Sequence, residues 1–257
     1  MSDLYIERRG NGRIPLVMIH GWAMHGGILH PLADALAAHC DMYLVDLPGH
    51  GHSRDSSIPL EPRACVEAIL RETPPAAWLG WSLGGLVAMT AALEHPEAVQ
   101  RLATISATPK FVQGDDWPQG NPPAMVRRLA ADLEADYKAT VDRFIALEAL
   151  GSKDPNAETR QLKAEAYSRG EPDPRVLLEG LRVLEDTDLR SRLHELTVPS
   201  VWIAGRLDRI VHPAAMRWSA EAAGGRFVEL AHAGHAPFIG HAAELAEVLL
   251  PFIGADA

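Results

Sequence analysis

A single serine carries the strongest chemical signal in the sequence. Ser82 is the centre of Gly80-Trp81-Ser82-Leu83-Gly84, which has the G-x-S-x-G spacing of a nucleophile elbow. The apolar segment 76–80 predicts a strand before it, and the segment 83–95 predicts a helix after it. The bare pattern can occur by chance in a glycine-rich turn, but this context favours the elbow. Ser82 is therefore predicted to be the nucleophile of a serine hydrolase.

A seryl hydroxyl needs a base, and in elbow-type hydrolases the order along the chain is serine, acid, histidine. Three histidines follow the last predicted strand: His232, His235 and His241. We predict that His235 is the base, because it lies in a glycine-containing loop just before the final helix. His232 is the alternative base, although it could simply hydrogen-bond the backbone of its loop. His241 is expected at the surface near the start of the final helix.

The acid that orients the histidine is predicted at Asp208. It follows the predicted strand 200–204, and from the end of that strand a carboxylate can reach a histidine on the next loop. Asp186 and Asp188 precede the strand and are weaker candidates, since each can simply be a solvated or helix-entry charge. The predicted catalytic residues are thus Ser82, Asp208 and His235.

The oxyanion of an ester-cleaving reaction needs backbone donors. The amide after the nucleophile, that of Leu83, is one predicted donor, and the amide of Trp22 in the loop after strand 15–20 is the other. His20 is expected to hold that loop together. The histidine-rich turn 46–53 lacks the H-x-H-x-D-H spacing of a metallohydrolase, so no metal is expected. No cofactor is expected either, because side chains and water can do the chemistry.

Composition bounds the partners and the location. The 257 residues carry a formal charge of -10, which argues against binding to nucleic acid or an anionic membrane. No apolar run approaches the roughly 18 residues of a membrane span, and no secretory signal is visible, so a cytoplasmic protein is expected. Cys40 and Cys65 form no CxxC pair and are expected to be free thiols.

Short apolar segments alternate with helical patterns, which predicts an α/β fold with a mostly parallel, doubly wound sheet. The predicted strands are 4–9, 15–20, 42–46, 76–80, 102–106, 200–204 and 226–230. Between residues 110 and 186 the pattern is helical and interrupted by glycines and prolines. We therefore predict a core of residues 1–109 and 187–257, with a helical cap, or lid, inserted at 110–186.

Several motifs resemble those of the α/β-hydrolase superfamily. They read HGW, DLPGHGHS, GWSLGGL, GRLDRIV and GHAPFIGH. The segments WLGWSLGGLVA, DWP, RFIAL, TDLR and HAPFI are similar to one member family in particular, the BioH family of pimeloyl-[acyl-carrier protein] methyl ester esterases in biotin synthesis. The likeness spans nearly the whole chain, including the cap, where members of the superfamily usually diverge.

The resemblance implies a monomeric serine esterase that removes the methyl ester from a pimeloyl chain on an acyl-carrier protein. The family's acyl site corresponds here to Trp22, Ser82, Leu83, Phe144, Ile145, Ala146, Leu147, Glu148 and His235. Position 148 often carries glutamine in that family, so the role of Glu148 is open, and Phe144 and Leu147 could simply pack the cap. The alternatives are a hydrolase of another small ester, a lactone or a C–C bond, and a non-enzymatic member of the fold.

Charge is unfavourable for such a partner. Carrier proteins are acidic, yet the cap itself holds 11 Lys and Arg against 15 Asp and Glu. Binding would need a local basic patch, for which we consider Arg160 and Lys163, three residues apart on one helical stretch, together with Lys138 and the pair 127–128. Each of these could equally be an ordinary solvated charge.

Overall fold

The computed structural model describes residues 3–150 and 154–254. Residues 1–2 and 255–257 of the predicted core and residues 151–153 of the predicted cap lie outside this range. Seven strands form one sheet in the order β1-β3-β2-β4-β5-β6-β7. They are β1 Ile6–Arg9, β2 Ile14–Ile19, β3 Cys40–Val45, β4 Ala76–Trp81, β5 Val99–Ile105, β6 Ser200–Gly205 and β7 Arg226–Leu230.

The sheet is parallel except at one edge. Strand β1 pairs with β3 in the antiparallel direction, and the other five pairings are parallel. Strands β4 and β6 are buried along their whole length, as expected for parallel strands covered on both faces. The carboxyl ends of β2, β4 and β6 therefore open onto one edge of the sheet, where the predicted site residues follow them.

Helices cover the sheet and provide the crossovers between parallel strands. They are α1 His30–Leu36, α2 Pro62–Leu70, α3 Leu83–Glu94, α4 Pro123–Ala135, α5 Tyr137–Glu148, α6 Pro155–Ala166, α7 Pro174–Asp186, α8 Pro213–Ala222 and α9 Ala242–Ile253. Helix α1 packs on α9, and α2 packs on α3. The predicted fold class is confirmed. Among the described residues, no helix is both long and apolar enough to cross a membrane.

Four of the helices, α4 to α7, lie between β5 and β6. The sequence starts three of them with an aspartate cap: the side chains of Asp136, Asp154 and Asp173 accept hydrogen bonds from backbone amides in the first turns of α5, α6 and α7. Proline follows the aspartate at the start of α6 and α7, where its missing N–H costs nothing. We call α4 to α7 the insertion; its boundary as a separate cap at 110–186 stays a prediction.

A buried ion pair fastens the insertion to the core. Arg169, in the turn after α6, bonds Asp46 Oδ1 at 2.9 Å and also pairs with Glu7 of β1. The Arg169 side chain is only 10% exposed and that of Asp46 is fully buried. Burial raises the pKa of Glu7, but hydrogen bonds from His30 and Arg169 outweigh it, so the pKa lies below its usual value.

Removing Arg169 should therefore weaken the whole fold. Arg169→Leu leaves the Asp46 carboxylate buried without its counter-charge, and we expect the free energy of unfolding at pH 7 to fall by about 3 kcal/mol. The measurement is urea unfolding followed by tryptophan fluorescence. Arg128→Leu is the matched control, because Arg128 pairs with Asp132 on the exposed face of α4 and its side chain is 80% exposed. Equal losses in the two variants would show that the Arg169 pair is no stronger than a surface pair.

Candidate active site

Ser82 lies at a sharp turn between β4 and α3. Its backbone has φ 54° and ψ -120°, a conformation that non-glycine residues rarely adopt. The turn is tight enough to require glycine on both sides. A Cβ at Gly80 would lie 2.3 Å from the Gly84 carbonyl oxygen, and one at Gly84 would lie 2.5 Å from the carbonyl oxygens of Ile19 and His20. This geometry projects the seryl side chain from the edge of the sheet.

The structure brings His235 and Asp208 to this serine. His235 Nε2 lies 3.1 Å from Ser82 Oγ, and His235 Nδ1 lies 2.9 Å from Asp208 Oδ2. An ionised carboxylate can only accept hydrogen bonds, so Nδ1 carries the proton and donates it to Asp208. The lone pair of Nε2 is then free to accept the seryl proton. The arrangement can do the chemistry of a nucleophile, a base and an orienting acid.

Further contacts fix these two side chains in place. Asp208 Oδ1 accepts hydrogen bonds from the amides of Ile210 at 2.8 Å and Val211 at 2.9 Å, which fix the orientation of the carboxylate. The indole of Trp81 donates to the His235 carbonyl oxygen at 2.9 Å and packs beside the imidazole ring. Sequence reasoning did not find these supports, although Trp81 stands next to the nucleophile within its motif.

The other candidates for base and acid lie elsewhere. His232 is exposed, and His241 bonds Glu244 at the start of α9. Asp186 is exposed at the end of α7. Asp188 bonds Arg190 and Lys110, and the hydrogen bond from Arg190 in particular lowers its pKa to about 2. None of these four has a hydrogen bond to Ser82 or His235 among the described residues.

The two predicted oxyanion donors belong to segments that meet at the serine. Leu83 begins α3, so its amide has no acceptor within the helix. Gly21, next to Trp22, approaches so closely that a Cβ there would lie 3.0 Å from Ser82 Cβ. In the part of the chain that the structure describes, neither the Leu83 nor the Trp22 amide donates to a protein acceptor. Neither N–H group is thus committed to another part of the described protein, and their role as oxyanion donors stays a prediction.

His20, in the loop after β2, is hydrogen-bonded to the histidine-rich turn after β3. His20 Nε2 accepts from the Leu47 amide at 2.9 Å, and its Nδ1 donates to the Gly21 carbonyl at 2.7 Å. Burial lowers the pKa of His20 well below its usual value and that of His50 to about 4. Among residues 3–150 and 154–254, no three His, Cys, Asp or Glu side chains group as metal ligands would.

Comparison with known proteins extends this picture to the whole chain. Residues 14–242 match the α/β hydrolase fold family. The chain is 50% identical over 251 residues to the pimeloyl-[acyl-carrier protein] methyl ester esterase of Stenotrophomonas maltophilia, covering 97% of this chain and 96% of the relative. It is 47% identical to the enzyme of that name from Xanthomonas oryzae pv. oryzae, covering 97% and 98%. The chain belongs to this esterase family. It is a carboxylic ester hydrolase, and the resemblance found in its motifs is confirmed.

Solved structures support the fold of the esterase. An esterase from Exiguobacterium antarcticum superposes with a TM-score of 0.86 at 22% identity, covering 97% of this chain and 95% of that one. The enol-lactonase from Burkholderia xenovorans LB400 gives a TM-score of 0.85 at 21% identity, covering 97% and 96%. At such identities the likeness concerns the fold alone.

The predicted acyl-site residues on α5 differ in their burial. Phe144 is buried, and its ring meets the Trp22 ring edge-on, with centroids 4.8 Å apart, directly beside the serine loop. Ile145 is fully buried in the core, whereas Ala146 and Leu147 are half-buried. The structure therefore joins Phe144 to the neighbourhood of Ser82, while Ile145 packs as an ordinary core residue.

Glu148 ends α5 as a buried carboxyl group. Its side chain is 1% exposed, and its Oε2 atom has no hydrogen-bond partner among the described residues. Burial raises its pKa well above the usual value of 4.5, and the nearby charges of Asp208 and Glu158 raise it further. The acid at this position is therefore held in its neutral form at a pH where a surface glutamate has lost its proton.

Glu148→Gln tests this protonation state. A carboxyl with a raised pKa keeps its proton longer in the folded state than in the unfolded state, so wild-type stability falls as pH rises above about 4.5. Glutamine lacks this loss. We expect the Tm of the variant to gain on wild type by about 2–4 °C for each pH unit until the folded pKa is passed. Glu185→Gln, at an exposed site on α7, should track wild type. Parallel Tm curves for Glu148→Gln and wild type from pH 4 to 9 would contradict the raised pKa.

Of the cationic side chains considered for carrier binding, Lys138 lies on α5, Arg160 and Lys163 lie on α6, and the pair 127–128 lies on α4. Lys138 pairs with Glu171 at 2.7 Å and lies over the Tyr167 ring. Lys163 pairs with Asp142 at 2.9 Å. Arg160 is exposed and forms no ion pair among the described residues. Of these three cations, Arg160 is thus the one without an ion-pair partner in the part of the chain that the structure describes.

Proposed function

We propose that this esterase hydrolyses the methyl ester of a pimeloyl chain attached to acyl-carrier protein, releasing methanol and a free carboxylate for biotin synthesis. One observation carries the proposal: a hydrogen-bonded Ser82-His235-Asp208 set lies in a chain that matches esterases of that name at 50% identity over 97% of its length. That match includes the insertion as well as the core.

In the first half of the proposed reaction, Ser82 Oγ attacks the ester carbonyl carbon while His235 Nε2 takes the seryl proton. The carbonyl oxygen becomes an oxyanion, which the Leu83 and Trp22 amides bind. Asp208 stabilises the imidazolium through its bond to Nδ1. The tetrahedral intermediate then collapses, and the proton on Nε2 moves to the departing methoxide, which leaves as methanol.

In the second half, water replaces methanol. Nε2 of His235 takes a proton from this water, whose oxygen attacks the carbonyl carbon of the acyl-Ser82 ester. The same two amides bind the second oxyanion. Breakdown returns the proton to Ser82 Oγ and frees the acid, which ionises. No redox step or added cofactor is needed for this sequence.

The apolar surroundings of the serine suit the methylene chain of a pimeloyl group. Trp22 and Phe144 form an aromatic pair next to the elbow, and apolar side chains of this kind favour burial of CH₂ groups over exposure to water. Leu147, three residues on, lies on the same face of α5 as Phe144 and extends the apolar surface, whereas Ala146, two residues on, faces another direction. Phe144 belongs to the insertion, so the acyl chain would bind between insertion and core.

Ser82→Ala tests the nucleophile. We expect the rate of methanol release from the carrier-bound methyl ester to fall by about 10⁴-fold or more, with unfolding unchanged. Growth of a biotin-requiring strain that lacks its own esterase tests the substrate: wild type should restore growth and Ser82→Ala should not. Failure of wild type to restore growth, with activity on short esters intact, would instead indicate another small ester or a lactone as substrate.

We also propose that the carrier binds through Arg160 and Lys163, neighbours on α6. Reversing both to glutamate should raise KM for the carrier-bound ester by about tenfold, because two attractive contacts with an acidic partner become repulsive. KM for the small ester p-nitrophenyl acetate should not change.

The control is Arg13→Glu with Arg71→Glu, an equal change of charge at exposed sites that precede β2 and β4, at the opposite edge of the sheet from Ser82. An equal rise in KM for both double variants, or for both substrates, would refute a local docking site. A cytoplasmic location and a monomeric state stay predictions.

A further inference from the structure

Trp22 takes part in two different sets of contacts. Its backbone amide belongs to the loop beside Ser82, and its side chain, only 1% exposed, points into the insertion. There the indole Nε1 donates a hydrogen bond to the Leu177 carbonyl oxygen of α7 at 2.9 Å. This bond joins residues 155 positions apart in the sequence, and both groups are buried. A buried N–H of this kind is costly to leave unpaired, so the bond holds the ring against α7.

Helix α7 closes tightly on the same ring. Gly180 follows Leu177 by three residues and lies on the same face of the helix. A Cβ at Gly180 would lie 2.7 Å from Trp22 Cδ1 and 3.1 Å from Nε1. The absence of a side chain at position 180 is therefore what lets the helix backbone reach the indole. Phe144 of α5 meets the ring edge-on at 4.8 Å, so two helices of the insertion fix it.

The backbone end of the same loop has equally little freedom. Gly21 is held by the His20 Nδ1 hydrogen bond to its carbonyl oxygen, and it approaches Ser82 to within the space of one methyl group. Because Gly21 is fixed, a shift of the indole has to be accommodated by the backbone of Trp22 itself. The Trp22 amide is part of that backbone.

We propose that Trp22 is a positioning residue through which α7 of the insertion sets the oxyanion-binding geometry beside Ser82. The amide donor reaches its working position only when the indole is seated between Leu177, Gly180 and Phe144. The oxyanion site is then complete only when the insertion is packed against Trp22. The inference rests on the proposed role of the Trp22 amide as an oxyanion donor.

A double-mutant cycle with Gly180→Ala and Trp22→Ala tests the link. The methyl group of Gly180→Ala pushes on the five-membered edge of the indole, so we expect kcat for p-nitrophenyl acetate to fall by about 10–100-fold, the cost of a small displacement of an oxyanion donor. KM should change by less than about threefold. Trp22→Ala removes both atoms that the new methyl would strike, Cδ1 and Nε1. In that background, adding Gly180→Ala should lower kcat by less than about threefold.

Two measurements keep folding separate from positioning. The amplitude of the acyl-enzyme burst gives the number of competent sites, so that kcat can be expressed per competent site. The pH profile of kcat should keep its shape, because His235 is unchanged. Glu185→Ala, on the exposed face of α7, should leave kcat unchanged.

Equal effects of Gly180→Ala in both backgrounds would overturn the proposal, since the methyl would then act through its other neighbour, Leu60. An effect on KM alone would overturn it as well, because it would indicate a binding surface instead of a displaced donor. Activity that survives Ser82→Ala would instead overturn the proposed function.

Discussion

The backbone conformation of Ser82 is the constraint on which the site depends. A non-glycine residue at φ 54° and ψ -120° is strained and persists only where its surroundings leave no alternative. Here the end of β2, the end of β4 and the first turn of α3 approach so closely that a single methyl at Gly80 or Gly84 would strike backbone. Packing of the sheet against α3 thus fixes the direction of the seryl side chain before His235 and Asp208 contribute.

Much of the core could be predicted because its signals are local. The elbow is contiguous in sequence, and its flanking strand and helix have apolar patterns of the expected length. His235 and Asp208 each follow a strand, so the order of elements was enough to propose them. Strand ends moved by only a few residues: 102–106 became Val99–Ile105, because the ladder with β4 begins earlier than the apolar run suggests.

The links between insertion and core could not be predicted, because they join distant residues whose types carry no local signal. Arg169 and Asp46 are 123 residues apart, and neither belongs to a pattern that suggests a buried pair. Gly180 is an isolated glycine within a helical segment, which by sequence alone only weakens the helix. The folded structure explains this glycine, because a side chain at position 180 would collide with the Trp22 indole. Glu148 is similar: its chemistry comes from burial near Asp208 and not from its neighbours in sequence.

The Arg169–Asp46 pair and the contact of Trp22 with α7 both concern how an enzyme with a general mechanism can be selective for its substrate. Cleavage by serine, histidine and acid discriminates poorly among esters, so selectivity must come from what completes the site. The Arg169 pair holds the turn after α6 on the core, and the Trp22 indole connects α7 with the loop beside the serine. Phe144 of α5 packs on Trp22, and in the proposed function an acyl chain would add contact with Phe144. With the Trp22 amide as the proposed oxyanion donor, binding energy gained far from the ester would hold that donor in place, and the rate for the fitting substrate would exceed the rate for a small one.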